Sequence, residues 1–315
     1  CSDGNLERAA AHLRGGGLVA VATETVYGLA ADATNGKAVA AIYETKGRPS
    51  FNPLIVHVSG FGMAETIADF DPVSRKLVEA FWPGPLTLVL PLKPGAGIAS
   101  LVTAGLDTVG LRCPKGPAQD LIRLLGSPLA APSANSSGRI SPTTAQAVEA
   151  DLGGKIPVIL DGGASPVGVE STIVKVENGV VRLLRPGGVA AEEIEKLTGN
   201  PVERADQRSA IEAPGMLASH YAPNAPVRLD AVRVLPDEAL LAFGPRRGCG
   251  AEYAVKTLNL SPAGNLAEAA ANLFAHLAEL DRTGARMIAV EPIPVHGLGE
   301  AIIDRLKRAA APRSA

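Results

Sequence analysis

Aromatic residues are scarce: Phe, Tyr and Trp make up 3% of the 315 residues. The core must then be built from Ala, Val, Leu and Ile, in a chain that is 46% hydrophobic and 20% charged. Cysteine is nearly absent as well. Cys1, Cys113 and Cys249 stand far apart with no C-x-x-C pair, which excludes a zinc ribbon, argues against a disulfide scaffold and fits a reducing cytoplasm. No apolar run approaches the ~18 residues of a membrane span. The first apolar stretch, residues 18–22, is too short for a signal-peptide core. A formal net charge of -2 leaves no global cationic field for nucleic acid, although a local basic patch stays open.

Common catalytic signatures are missing too. Gly36-Lys37 and Gly154-Lys155 lack the first glycine and the hydroxyl residue of a P-loop, and Gly95-Ala96-Gly97 runs on to Ser100 rather than completing G-x-G-x-x-G. There is no H-E-x-x-H and no G-x-S-x-G, and the five histidines are dispersed. A P-loop NTPase, a nicotinamide dehydrogenase, a zincin and an α/β-hydrolase are thereby disfavoured.

What is present is an alternation of helical and strand patterns. Periodicity predicts helices at 5–14, 37–45, 73–81, 118–125 and 143–152, and strands at 18–21, 53–58, 86–92, 157–160, 171–176 and 180–184. Glu177-Asn178-Gly179 makes a hairpin turn of the last two. Texture changes near residue 200, where Pro201, Pro214, Pro223 and Pro226 interrupt a stretch of weak periodicity. The expected organisation is a mixed α/β domain over 1–200, a linker over 201–226 and a smaller α/β unit over 227–315, with strands at 239–243 and 286–290 and helices at 265–280 and 300–309.

The densest polar stretch runs from Glu44 to Pro53, directly before a buried strand. If the backbone is extended there, Lys46 and Arg48 point the same way and suit a polyphosphate; a solvated basic loop is the equal alternative. Polar groups also follow several predicted strands: Thr23 and Thr25 about Glu24, Thr108 and Arg112 about Val109-Gly110-Leu111, Ser133 and Asn135 after Ala131, and Arg185 after Leu184. Ligands of open α/β sheets gather beyond strand ends, so the repetition hints at one crevice, although each placement alone is ordinary turn chemistry. His57, within an apolar strand, reads on its own as a core histidine. Glu24 and Glu170 read either as metal-facing carboxylates or as capping groups.

Several motifs, taken in order, carry a resemblance. They are Thr23-Glu24-Thr25-Val26-Tyr27-Gly28-Leu29; Lys46-Gly47-Arg48-Pro49-Ser50 with Asn52-Pro53-Leu54-Ile55-Val56-His57; and Trp82-Pro83-Gly84-Pro85-Leu86-Thr87. Then come Val109-Gly110-Leu111-Arg112, Pro132-Ser133-Ala134-Asn135, Gly168-Val169-Glu170-Ser171-Thr172-Ile173 and Leu184-Arg185-Pro186-Gly187, followed by Pro214-Gly215-Met216 and His220-Tyr221-Ala222-Pro223. Together they resemble the YrdC/Sua5 family in its long, two-domain form. Departures are Ala22, where that family often has proline, and a linker without basic and aromatic residues after Met216.

The resemblance implies a twisted mixed sheet with flanking helices and a concave site, plus a smaller C-terminal Rossmann-like domain. It implies an L-threonylcarbamoyladenylate synthase, a nucleotidyltransferase that uses L-threonine, bicarbonate and ATP, with Mg²⁺ carried on the ATP phosphates and no metal site of its own. The product would pass to a tRNA threonylcarbamoyltransferase complex for modification of adenosine 37, with tRNA contact possible but not required. Lys46 and Arg48 then take catalytic roles. Thr25, His57, Arg112, Ser133 and Ser171 correspond to threonine-site residues. Arg48, Asn52, Thr108, Asn135, Thr143, Arg185 and Tyr221 correspond to nucleotide-site residues, with Tyr221 arriving from the linker as a lid. A nucleic-acid-binding module is opposed by the low net charge, and a carbamoyl-transferring hydrogenase-maturation protein by the missing zinc-finger cysteines.

Overall fold

In the computed structural model, which describes residues 2–205, 213–214 and 220–312, the strands fall into two sheets. The first contains β1 (Val19–Val21), β2 (Gly28–Asp32), β3 (Ile55–His57), β4 (Leu86–Pro91) and β5 (Thr108–Arg112). It continues with β6 (Leu129–Ala130), β7 (Ile159–Leu160), β8 (Thr172–Glu177), β9 (Val180–Arg185) and β10 (Glu203–Arg204). Their spatial order is β10-β9-β8-β4-β5-β3-β6-β2-β1-β7. The sheet is mixed: β4 runs antiparallel to β5 and parallel to β8, while β3 runs parallel to β5 and antiparallel to β6.

The core is aliphatic, as the shortage of aromatics requires. Leu29, Val56, Leu86, Leu88 and Leu111 bury their side chains completely or nearly so beneath the helices that cover the sheet. Strand β2 goes unpredicted because Gly-Leu-Ala-Ala-Asp has little β-propensity; its pairing with β1 and β6 and its burial overcome that. The helix predicted from residue 143 begins at Ala145. Thr144 is its N-cap, accepting from the Ala147 amide, which leaves Thr143 in the preceding loop.

The second sheet contains β11 (Val227–Arg228), β12 (Glu238–Ala242), β13 (Thr257–Asn259) and β14 (Met287–Val290), in the order β11-β14-β12-β13 and parallel throughout. Parallel neighbours need crossovers. The helix Leu266–Asp281, capped by the Asn265 side chain, provides the longest, and it buries Leu273, Phe274, Leu277 and Leu280. The last helix, Leu298–Ala310, packs beside it.

The two units share packing. Val26 and Val169 of the first join Tyr221 and the apolar face of the second in one buried cluster. Gly168 shows how close the approach is: a Cβ there would lie 2.3 Å from the Ala270 carbonyl oxygen, and its φ of +76° is left-handed. Within the stretch expected to be linker, Glu203–Arg204 instead adds an edge strand beside β9, while residues 206–212 and 215–219 lie outside the described residues.

Candidate functional site

Strand ends bring the polar groups together. His57 ends β3 directly opposite Arg112 at the end of β5, and Arg185 ends β9 opposite Ile173, just beyond Ser171. Arg48, His57, Arg112, Ser133, Ser171, Arg185 and Tyr221 line one cavity. Glu170 and His220 line it too, although neither was anticipated as a substrate contact. Thr108 lines a smaller neighbouring cavity with Pro53, Thr87 and Gly110, and Pro214 borders both. Thr25, Lys46, Asn52, Asn135 and Thr143 are buried and border neither.

Lys46 departs from the expected placement, whereas Arg48 lines the cavity. Lys46 is the last residue of the helix Gly36–Lys46, and Gly47 reverses the chain in the left-handed region at φ +60°; the backbone is not extended at Lys46. Its ammonium turns inward and donates to the carbonyl oxygens of Ser133, at 2.5 Å, and Asn135. Burial, reinforced by the charge of Arg48, pushes the Lys46 pKa well below that of an ordinary lysine. With the Ser137 amide donating to the Lys46 carbonyl, the 133–137 loop is stitched to the helix end. Arg48 is held by the carbonyls of Asn52 (3.2 Å) and Pro53 (2.9 Å) and faces the cavity; burial draws its pKa down to about 10.

Asn52 and Asn135 each keep a buried side-chain oxygen without a protein partner. An unsatisfied buried acceptor costs about 1–3 kcal/mol, which a ligand donor would recover. The Thr143 carbonyl accepts from the Ser165 amide at 2.9 Å.

Across the cavity, Arg112 pairs with Glu24 at 2.7 Å and also donates to the Gly84 carbonyl. The other Glu24 oxygen accepts from the Lys115 amide at 2.9 Å, so this carboxylate is committed to the protein rather than facing a metal. Among the described residues, no group of three or more His, Cys, Asp or Glu is placed to hold a metal ion. Thr25, completely buried, pairs its hydroxyl with that of Thr23 at 2.8 Å and shapes the turn between β1 and β2. The Ser171 hydroxyl meets Thr87 at 2.7 Å.

Arg185 is not the surface charge that its strand-end position commonly means. It is 4% exposed and donates through Nε and Nη2 to the Ser171 carbonyl at 3.2 and 2.9 Å, and through Nη1 to the Pro214 carbonyl at 3.3 Å. The site is therefore a cation-rich pocket whose arginines are held by backbone carbonyls.

Comparison with known proteins finds relatives over nearly the whole chain. The Sua5/YciO/YrdC family model, described as telomere recombination, matches residues 11–187. A second, described as the C-terminal domain of threonylcarbamoyl-AMP synthase, matches residues 189–311. The chain belongs to the Sua5 family. The threonylcarbamoyl-AMP synthase of Pyrococcus abyssi is 42% identical over 97% of this chain and 94% of its own length. That of Bacillus subtilis is also 42% identical, over 99% and 94%. The crystal structure of P. abyssi Sua5 complexed with L-threonine superposes with a TM-score of 0.87 at 39% identity, covering 97% of this chain and 94% of that one.

In this Sua5 chain Pro214, His220 and Tyr221, from the stretch before the second unit, supply one wall of the pocket. Tyr221 is 1% exposed, with its backbone left-handed at φ +61°, a conformation that costs a non-glycine residue about 1 kcal/mol or more. Its ring is held 5.6 Å from that of Phe274 and 4.1 Å from that of His220. Glu170 also belongs to this wall. It accepts from the Ser141 hydroxyl at 2.5 Å and pairs with Arg305 at 2.7 Å, so it too is no metal-facing group. Burial by itself would raise the Glu170 pKa, but Arg305 and Arg185 bring it down to about 2.

His57 and His220 are neutral in this pocket. Burial lowers both to about 3, helped at His57 by Arg112 and at His220 by Arg48 and Lys46 against an opposing pull from Glu170. The unfolded chain takes up these protons near 6.5 and the folded chain only near 3, so between those values the unfolded state binds more protons. Stability should climb with pH across that window, by about 1.4 kcal/mol per pH unit for each histidine, and flatten above it. Urea unfolding of wild type and His57→Asn from pH 4 to 7 checks this. A slope that the substitution leaves untouched would remove His57 from the account.

Proposed function

We propose that this chain, an enzyme of the Sua5 family, converts L-threonine, bicarbonate and ATP into threonylcarbamoyl-AMP, pyrophosphate and water. The observation that carries the reading is the convergence of Arg48, Arg112 and Arg185 with Ser133, Ser171 and His57 on one pocket, in a chain matched over nearly its whole length by threonylcarbamoyl-AMP synthases. Arg112, with Thr25, His57, Ser133 and Ser171, would receive threonine, the guanidinium facing its carboxylate. Arg48 and Arg185, with Asn52, Thr108, Asn135, Thr143 and Tyr221, would receive the nucleotide. Lys46 acts through the carbonyls of Ser133 and Asn135.

In this scheme the threonine amine adds to bicarbonate and water leaves, giving a carbamate that bulk solvent would hydrolyse. A carbamate oxygen then attacks the α-phosphorus, the bond to the β-phosphate breaks, and pyrophosphate departs with its Mg²⁺, which enters as part of the substrate. Transfer of this kind needs orientation and positive charge around the phosphates, not a covalent nucleophile. Neutral His57 suits a site where an amine must stay unprotonated to react. The product would serve N6-threonylcarbamoylation of tRNA adenosine 37 through a separate transferase complex in the cytoplasm. No helix among the described residues is long and apolar enough to cross a membrane.

Purified protein should release pyrophosphate only when threonine, bicarbonate and ATP are all present, with a product of the mass of threonylcarbamoyl-AMP. Equal release with serine, or without bicarbonate, would assign it a different adenylating reaction.

A further inference from the structure

Arg305 lies on the last helix of the second unit, yet it is fully buried against the first. Its Nε donates to Glu170 at 2.7 Å, and its Nη1 donates to the Pro186 carbonyl at 3.0 Å and to Asp304 at 2.6 Å. The guanidinium carbon stands 5.1 Å from the centre of the Tyr221 ring. Each contact across the interface reaches the pocket wall: Glu170 precedes Ser171, Pro186 follows Arg185, and Tyr221 lines the cavity itself. Taking such a charge out of water costs several kcal/mol, and apolar packing would join two units at least as well. What a planar fork adds is direction.

We propose that Arg305 is a positioning residue for the nucleotide: by gripping Glu170, the Pro186 carbonyl and the Tyr221 ring together, it sets Arg185 and Tyr221 in register, so that the second unit completes the active site. The inference rests on the substrate roles proposed for those two residues. It gives the second unit a part in substrate binding, with Arg305 itself touching no reacting atom.

The test is ATP binding by calorimetry, alongside KM values from pyrophosphate release, in wild type, Arg305→Met, Arg305→Lys and Glu300→Ala. Glu300 is the control because its ion pair with Arg204 at 2.7 Å also joins the units but lies away from the pocket. Arg305→Met is expected to weaken ATP binding by about tenfold or more and to move the threonine KM by less than about threefold, while Glu300→Ala leaves ATP binding within about twofold. Unchanged ATP affinity in folded Arg305→Met, or an equal loss in Glu300→Ala, overturns the proposal. Should Arg305→Met not fold, Arg305→Lys decides: it keeps the charge opposite Glu170 but not the fork to Pro186, and wild-type ATP affinity there is equally fatal. Wild type that binds ATP without making the adenylate defeats the reaction assigned above and leaves the affinity comparison valid. Failure of wild type to bind ATP defeats both.

Discussion

Arg185→Ala is expected to lower kcat/KM for pyrophosphate release by roughly 100-fold or more, the loss typical of removing one preorganised donor from a water-excluded site. Its guanidinium is buried, lines the cavity and is locked by two bonds to the Ser171 carbonyl and one to Pro214. The substitution removes a positive charge and also frees the Ser171 backbone, so the effect should appear in kcat as well as in the ATP KM. Arg185→Lys should recover little, because an ammonium keeps the charge but cannot reproduce the planar fork. Arg48→Ala, in the same lining, should cost tenfold or more by the same reasoning, on the order of one donor's contribution. Steady-state kinetics with a parallel thermal melt separate chemistry from folding. An Arg185→Ala enzyme with wild-type kinetics would remove this arginine from the site.

The second large effect concerns stability. Glu24→Ala should destabilise the fold by about 3–5 kcal/mol, because it leaves Arg112 charged, buried and without its counter-ion. The loss should exceed that of Glu24→Ala combined with Arg112→Met, where no bare charge remains, and urea denaturation of the two single variants and the double variant measures the coupling. The single variant should also bind threonine poorly, since the Arg112 guanidinium loses the partner that fixes it beside the pocket. A Glu24→Ala penalty below about 1 kcal/mol would mean that the pair is solvated like a surface ion pair.

Much of this molecule is legible in its residues. The helix predicted at 265–280 is observed as Leu266–Asp281, and those predicted at 37–45 and 73–81 as Gly36–Lys46 and Pro72–Phe81, because each has an amphipathic period and a local cap. β2 escaped notice because its alanines carry no strand signal. The inward turn of Lys46 escaped too, since Gly47 permits either an extended pass or a left-handed reversal, and only the surroundings of the ammonium choose between them. His220, which lines the cavity, has a signal in its place beside Tyr221 in a motif of the family.

Composition, periodicity and the order of motifs along the chain determined an aliphatic α/β protein with a crevice beyond its strand ends. The motifs also named Arg48, His57, Arg112, Ser133, Ser171, Arg185 and Tyr221, which line it; tertiary structure alone set Lys46 and Asn52 behind the lining and brought Glu170 and His220 into it. The partner of Glu170 lies 135 residues away, and Arg185 donates to a carbonyl 29 residues on, at Pro214. Propensity and periodicity act over a few residues, whereas the fate of a buried charge depends on which elements the sheet order and the packing of the second unit bring beside it.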